Sequence, residues 1–186
     1  MSSSEIPLWK KMRHCAVIGA VAATSLLAAC TVQPLYYNPT SEGVPTGVTA
    51  ELRSIAIKPV ETRYAQEVRN NLIFLLNGGS GQPPVARYTL TLGVTAVNQS
   101  AAVVQRAKEN EPTAGTVTLT AHYVLTETET AKVVAEGQRR IASSYDVPRQ
   151  EYAARRAERD AENRAARELA ELLKLVLAQQ FAGSAG

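Results

Sequence analysis

The strongest constraint on the fold is an alternation of apolar residues with threonines in the middle of the chain. Over residues 116–126, five apolar side chains alternate with threonines and His122, and residues 86–97 show the same pattern. Successive side chains of a β-strand point to opposite faces of the sheet. Each segment is therefore predicted to be a strand with one buried face and one polar face.

Two further strands complete the predicted sheet. Residues 132–145 follow a short polar tip at residues 127–130, which predicts an antiparallel hairpin with the strand before it. Residues 52–60 combine β-branched side chains with a proline near the end, and they predict a first strand. The sheet is therefore expected to have four strands.

Two stretches have the spacing of apolar side chains, at every third or fourth residue, that predicts an amphipathic helix. The first covers residues 62–77 and ends at Gly78-Gly79, a pair suited to the left-handed conformation that ends helices. The second covers residues 148–181 and is long enough to overhang the sheet. The order strand-helix-strand-strand-strand-helix predicts an α+β fold, with two helices packed on one face of the four-stranded sheet.

The connection between the second and third predicted strands is long and polar. It covers residues 99–114 and includes Arg106 and Lys108. Loops of this length inside compact domains often have a function. We therefore expect a functional loop here.

The first 29 residues are predicted to be a signal peptide. Basic residues precede an apolar run over residues 15–29, which is too short for a membrane span of about 20 residues but suits a secretory signal. The run ends in the lipobox Leu27-Ala28-Ala29-Cys30, in which the cysteine thiol accepts a diacylglyceryl group. We expect cleavage before Cys30 and attachment to a membrane through diacylglycerol and an N-acyl chain, such as palmitate. A plain signal peptide or anchor helix that contains a cysteine is the alternative.

Cleavage would leave a lipidated tether at residues 30–49, a folded domain at residues 50–182 and a flexible tail at residues 183–186. Of the 20 Lys and Arg residues three lie in the leader, as does one of the 17 Asp and Glu residues, so the remainder has a net charge of +1. This charge gives no support to nucleic-acid binding. Because Cys15 also lies in the leader, Cys30 is left without a disulfide partner.

Several short motifs mark a resemblance to a known family. They occur in the order Cys30-Thr31-Val32-Gln33-Pro34-Leu35-Tyr36, Gln66-Glu67-Val68-Arg69-Asn70-Asn71-Leu72, Ala142-Ser143-Ser144-Tyr145-Asp146, Tyr152-Ala153 and Asp160-Ala161-Glu162-Asn163-Arg164-Ala165. From the lipobox to about Phe181, the chain resembles the LptE lipopolysaccharide-assembly lipoproteins in the form found in alphaproteobacteria. That family has two helices packed on one four-stranded sheet, as predicted here.

The resemblance implies a role without catalysis. Members of the family sit inside the lumen of the outer-membrane β-barrel LptD, plug it, help it to fold and assist lipopolysaccharide to the outer leaflet. The implied partners are an LptD-like barrel and lipopolysaccharide. The implied location is the outer membrane, with the lipid anchor at the periplasmic face and the domain inside the barrel lumen.

Lipopolysaccharide carries phosphates, which arginine and lysine side chains recognise best. The candidate contacts are Arg106 and Lys108 in the predicted loop, together with Arg155, Arg156 and Arg159 at the start of the last helix. The alternative for these arginines is an ordinary solvated helix face with i,i+4 ion pairs.

The residues give little support to an enzyme. His122 is the only histidine after the leader, and aspartate occurs only at Asp146 and Asp160, so neither a catalytic residue nor a metal site is predicted. No cofactor is expected. The second functional hypothesis is an auxiliary periplasmic lipoprotein of a lipid-trafficking ABC transporter. Thr31 after Cys30, in place of aspartate, favours sorting to the outer membrane.

Overall fold

The computed structural model describes residues 47–106 and 109–184, with the backbone alone for residues 100–106, 109–113 and 184. Within these ranges the elements follow in the order α1 (Val48–Arg53), β1 (Ile55–Ile57), α2 (Arg63–Asn77), β2 (Tyr88–Arg106), β3 (Glu109–Glu127), β4 (Val133–Asp146) and α3 (Glu151–Ser184). The predicted α+β class is confirmed, with a short helix α1 added before the first strand.

The four strands form one sheet in the order β1-β2-β3-β4. The β1 strand pairs in parallel with the start of β2, and α2 supplies the crossover that a parallel pair requires. The other two pairs are antiparallel hairpins. At the free edge of β1, Gln82 Oε1 accepts a hydrogen bond from the Ile57 amide and Arg69 Nε and Nη2 donate to the Ile57 carbonyl, so side chains close this edge.

The core lies between the sheet and the two long helices. Most apolar residues of β2 and β3 that alternate with threonine are buried, as predicted. Five leucines of α2 and α3 are buried with them, whereas Leu75 and Leu172 are half-buried and Leu175 is exposed. Five alanines of α3 are completely buried, which lets the helix approach its neighbours closely: Ala161, Ala165, Ala166, Ala170 and Ala178. The largest fully buried side chains are Ile55, Leu72, Leu90, Leu119, Leu125, Leu169, Leu173, Leu177, Val68 and Val117.

The first long helix is where the sequence predicts it. Thr62 occupies the N-cap position in an extended conformation, although its side chain makes no capping hydrogen bond. The helix ends at Gly78, whose φ of 61° is left-handed, a conformation that glycine adopts without steric cost.

The first predicted strand, at residues 52–60, is wrong at its start. Leu52 and Arg53 belong to α1, and the strand is only three residues long. Leu52 is 2% exposed. A helix can bury this single apolar side chain as well as a strand can, so its burial does not indicate which element forms. The α1 helix also begins at Val48, within the segment predicted to be the end of the tether.

Charged and aromatic side chains connect α1 and the last helix with the start of β2. Arg87 donates to the Glu51 carboxylate at 2.9 Å, and its guanidinium group lies 5.2 Å from the centre of the Tyr88 ring. The Tyr88 ring also packs against Phe181 of α3, with 5.1 Å between the ring centres. Burial raises the pKa of the Tyr88 hydroxyl above its ordinary value of 10.0, and the charge of Glu51 raises it further.

The predicted loop at residues 99–114 is also wrong, because β2 and β3 continue as paired strands through most of it. Their pairing runs to Arg106 opposite Glu109, with an irregularity between Ser100 and Val103. The pairing of β4 with β3 ends at Ala114. Beyond that point β2 and β3 form a two-stranded ribbon, in which each strand satisfies the backbone hydrogen bonds of the other.

The last helix begins three residues later than predicted, and its first turns overhang the core as expected. None of the residues 151–160 is buried, whereas Ala161 and Ala165 are completely buried. In the described part of the chain, no helix has both the length and the apolar character that crossing a membrane requires.

Candidate functional site

One face of the sheet has no helix packed on it within the described part of the chain. We call it the threonine face, and it consists of the outward side chains of β2, β3 and β4. Thr91 and Thr95 are exposed, whereas the threonines of β3 are half-buried between neighbouring strands. In the paired strands, Thr95 lies beside Thr120, and Thr120 lies beside Arg140. Short hydroxyl side chains occupy much of the β2 and β3 part of this surface, and the β4 part adds the exposed Glu136, Gln138 and Arg140. The hydroxyl-bearing residues are Thr89, Thr91, Thr95, Thr116, Thr118, Thr120 and Ser144.

The threonine face has no large apolar patch. Its exposed apolar side chains are Val97, which is 52% exposed, and Val133, which is 49% exposed. Their partners on β3 are Thr118 and Thr126, which are eight residues apart, or about 27 Å along a strand. Isolated apolar side chains of this kind are normal on a protein surface. The face is therefore suited to a polar environment.

His122 lies on the threonine face, between Gly93 and Gln138 of the adjacent strands, and it is exposed. Its position agrees with the predicted strand pattern. In the described ranges no three His, Cys, Asp or Glu side chains are grouped so that they could hold a metal ion.

The arginines predicted at the start of the last helix are separated by the structure. Arg155, Arg156 and Arg159 are all exposed on the overhanging turns of α3. Arg155 forms an i,i+4 ion pair with Glu151 on the same helix. Such exposed pairs contribute only a few tenths of a kcal/mol, about 0.3–0.5. Arg156 and Arg159 face a different direction and line a notch between helices.

This notch, which we call the arginine notch, lies between the start of α2 and the overhang of α3. Its lining residues are Arg63, Arg156, Arg159, Asp160 and Asn163. Arg63 Nη1 donates to Asn163 Oδ1 at 2.8 Å, and Arg63 also pairs with Glu162. The carboxylate of Asp160 pairs with Arg164.

The charge of the arginine notch is mixed, because the Asp160 carboxylate lines it beside Arg156 and Arg159. Arg156 and Arg159 make no hydrogen bond or ion pair with any residue in the described ranges. They are three residues apart on α3, where like charges repel. An anion in the notch would relieve this repulsion and could accept hydrogen bonds from several guanidinium groups.

A polar network holds the overhang of α3 against the end of the sheet on the other side of the helix. The Tyr145 hydroxyl donates to Asn98 Oδ1 at 3.0 Å, and Asn98 Nδ2 donates to Glu158 Oε1 at 2.7 Å. Arg164 Nη2 donates to the Ser144 carbonyl at 2.9 Å. These bonds connect α3 to β2 and β4, and thereby fix where Arg156 and Arg159 are placed.

Of the two other predicted contacts, only the backbone of Arg106 lies within the described residues. The backbone of Arg106 ends β2, opposite Glu109, and its side chain lies outside what the structure describes. Lys108 lies outside the described residues altogether.

Sequence reasoning missed Arg63. Its contact with Asn163 joins residues 100 positions apart, which no local pattern can indicate. One signal was available: Arg63 is the first residue of α2, and that helix has no acidic residue in its first turn. A basic residue at the positive end of a helix is unfavourable unless a partner compensates it.

Comparison with solved structures gives several lipoproteins of the same fold. A protein from Caulobacter crescentus CB15, described as a candidate lipoprotein, is 29% identical, with a TM-score of 0.60 over 75% of this chain and 98% of that chain. A minor lipoprotein from Acinetobacter baumannii (15% identity, TM-score 0.50, covering 67% of this chain and 88% of that one) has the same fold. So has the rare lipoprotein B from Shewanella oneidensis (11% identity, TM-score 0.52, covering 71% and 97%).

Comparison with curated proteins gives no significant match. The family model described as "LptE: Lipopolysaccharide-assembly" matches residues 52–175, which include every described strand and most of α3. The chain therefore belongs to the LptE family of lipopolysaccharide-assembly proteins.

Proposed function

We propose that this chain is a lipid-anchored outer-membrane protein that occupies the lumen of an LptD-like β-barrel. In this role it helps the barrel to assemble, plugs it and assists the insertion of lipopolysaccharide into the outer leaflet. The chain acts by binding and has no catalytic step of its own. Its anchor is the acylated Cys30 at the periplasmic face of the outer membrane.

The observation that carries this proposal is the threonine face. Both long helices pack on the other face of the sheet, so the apolar side chains of β2 and β3 are hidden within the domain. The lumen of a wide barrel is polar. A protein enclosed there needs hydrogen-bonding groups and few apolar side chains, as on the threonine face.

The basic residues complete the proposal. We assign the contacts with lipopolysaccharide phosphates to Arg106 and Lys108, which follow each other closely in the chain, and to the arginines of the α3 overhang, Arg155, Arg156 and Arg159. Because the first turns of α3 overhang the core, these three arginines are exposed to a passing glycolipid. Arg155 is the weakest of these candidates, since Glu151 already pairs with it.

Affinity purification of the tagged full chain from detergent-solubilised envelopes tests the proposal. We expect a stoichiometric complex with a large outer-membrane barrel. Thr118→Arg places a long charged side chain between Val97 and Ala142 on the threonine face, and it should reduce the recovered barrel by about tenfold. Gln179→Arg, an equal charge change on the exposed side of α3, is the control and should retain the complex.

Two results would contradict the proposal. Recovery of inner-membrane permease subunits without a barrel would instead support an auxiliary role in an ABC transporter. Equal recovery of the barrel with Thr118→Arg and with the unmodified chain would show that the threonine face is not the contact surface.

A further inference from the structure

We propose that the outer edge of β2 over residues 92–98, which we call the open edge, binds an extended segment of the barrel protein as an additional strand in line with β1. Backbone hydrogen bonds would provide the affinity, as in other complexes formed by strand addition. The identity of the partner rests on the proposed function. The capacity of the open edge to accept a strand follows from the contacts and the sequence of β2.

The open edge begins where the pairing with β1 ends. The last hydrogen bond between the two strands runs from the Lys58 amide to the Leu90 carbonyl, at 2.9 Å. In this parallel register the Lys58 carbonyl would be the next acceptor, for the Leu92 amide. It accepts a hydrogen bond from Arg69 Nε instead, at 3.1 Å. The next element of the chain is α2, so in the described sheet no strand continues beside β2.

Alternate residues of the open edge direct their backbone groups away from β3. The Tyr88 amide and the Leu90 carbonyl form hydrogen bonds on the β1 side, and the pairing of β2 with β3 is regular through the whole open edge. The N–H and C=O groups of Leu92, Val94 and Ala96 therefore point to the same side as those of Leu90. Within the described ranges none of these groups has a hydrogen-bond partner. An added strand would satisfy them.

The sequence of β2 lacks the features that usually protect a free edge from pairing. Charged side chains and proline are the commonest of these features. Residues 88–105 contain neither a charged residue nor a proline. The open edge is instead rich in β-branched side chains, which favour strands: Val94, Thr95 and Val97.

The two outermost strands of the sheet are protected, in contrast to the open edge. At β1, Gln82 and Arg69 occupy the outward backbone groups of Ile57. The β4 strand contains four charged residues among its 14. Side chains also donate to three of its backbone carbonyls, those of Val134, Gln138 and Ser144. Protection of both outermost strands, but not of the open edge, indicates that the open edge has a partner.

The threonine face identifies the barrel protein as this partner. Thr95 and Val97 of the open edge are exposed on that face, so a barrel in contact with it would also reach the edge. The strands of a closed barrel have no free edge of their own. The added segment is therefore an extended stretch of the barrel polypeptide outside the closed wall. The open edge is about 23 Å long, close to the length of an ordinary strand.

The side chains of the added segment should alternate in character. Val94 is 9% exposed and Ala96 is half-buried, and both lie on the helix side of the sheet. Side chains of the segment on this side should be small and apolar. Those on the other side lie beside Thr95 and should be polar.

Hydrogen exchange of single backbone amides tests strand addition directly. It is measured by mass spectrometry on the purified full chain, alone and in complex with the barrel. In the free chain the amides of Leu92, Val94 and Ala96 should exchange fast, whereas those of Gly93 and Thr95, which point to β3, should exchange slowly. In the complex the first three should slow by at least about tenfold. Fast exchange of these three amides in the complex would overturn the proposal.

Variants at Ala96 test whether the open edge contributes to binding. Ala96→Pro removes one outward N–H, and proline is tolerated where the N–H of an edge strand faces solvent. Recovery of the barrel with this variant should fall about tenfold, while circular dichroism shows a folded protein. Ala96→Arg adds a charge at the edge and should give a similar loss if the proline variant does not fold. Gln179→Arg, with the same charge change on the exposed side of α3, should retain the barrel.

The remaining outcomes separate this proposal from the proposed function. Full recovery of the barrel with Ala96→Arg, together with its loss in Thr118→Arg, would reject the open edge and leave the proposed function standing. Absence of any barrel from the purified unmodified chain would overturn both. Slow exchange of the outward amides in the free chain would show that the same chain or a second copy covers the edge, which also overturns the proposal. Sedimentation of the free chain distinguishes these two coverings.

Discussion

Gly115 and Tyr145 face each other across β3 and β4, and the Tyr145 ring lies over the glycine. A Cβ atom at Gly115 would be 2.5 Å from the ring, which is closer than real contacts allow. Gly115→Ala should therefore lower the free energy of unfolding by about 1–2 kcal/mol, because the ring must move and its hydrogen bond to Asn98 is lost. Urea denaturation of the purified protein measures the change.

Gly93 provides the matched control, because it lies in β2 with nothing within 4 Å of a Cβ atom. Gly93→Ala should leave the unfolding free energy within about 0.5 kcal/mol of the unmodified protein, or raise it slightly. In a Tyr145→Ala background, Gly115→Ala should cost no more than Gly93→Ala does. A persistent large loss in that background would rule out the ring as the cause.

Some residues of the candidate site could be predicted from the sequence, and others could not. Arg156 and Arg159 could be singled out because they stand close together in a helix whose register is visible. Arg63 could be noted only as a basic residue at a helix start, because its place beside them depends on how α2 and α3 pack. The separation of Arg155 from the notch agrees with the visible register, since Arg155 pairs with Glu151 four residues earlier on the same helix.

Among the elements, α3 depends on alanine where it crosses the core. Ala165 is completely buried, and its small side chain sets the distance between the helix and its neighbours. Ala165→Leu should destabilise the fold by about 1–3 kcal/mol, because the added carbons must displace packed atoms. Ala182→Leu, at an exposed position near the end of the same helix, should change stability by less than about 0.5 kcal/mol. Thermal unfolding followed by circular dichroism compares the two, and similar losses would contradict a tightly packed helix.

The elements that the sequence predicted well are those with one face against the core. The period of two in β3 and the three- and four-residue spacing in α2 both arise from burial on one side. The ribbon beyond Ala114 has no third strand beside it in the described sheet. Its sequence, residues 100–113, accordingly has no clear alternation and resembles a loop. The α1 helix was missed because six residues are too few to show a helical period.

For the whole molecule, the two sides of the domain have different chemistry. The helix side completes the core and forms the arginine notch, whereas the strand side presents the threonine face. A protein with this division can use one side for a polar barrel wall while the other side meets a charged glycolipid. Both contacts require the domain to be held near the membrane, and the proposed acyl group on Cys30 would do this.

The anchor can be tested on the whole chain. Cys30→Ala removes the thiol that would accept the diacylglyceryl group, so the protein should either appear in the soluble periplasm or accumulate as an uncleaved precursor. Cys15→Ala, the same change within the apolar run of the leader, should leave cleavage and membrane attachment normal. Envelope fractionation combined with the intact mass of the recovered protein distinguishes these states, because two or more acyl chains hold a protein far more firmly than one. A Cys30→Ala chain that remains in the membrane fraction with the leader removed would show that another element provides the anchor.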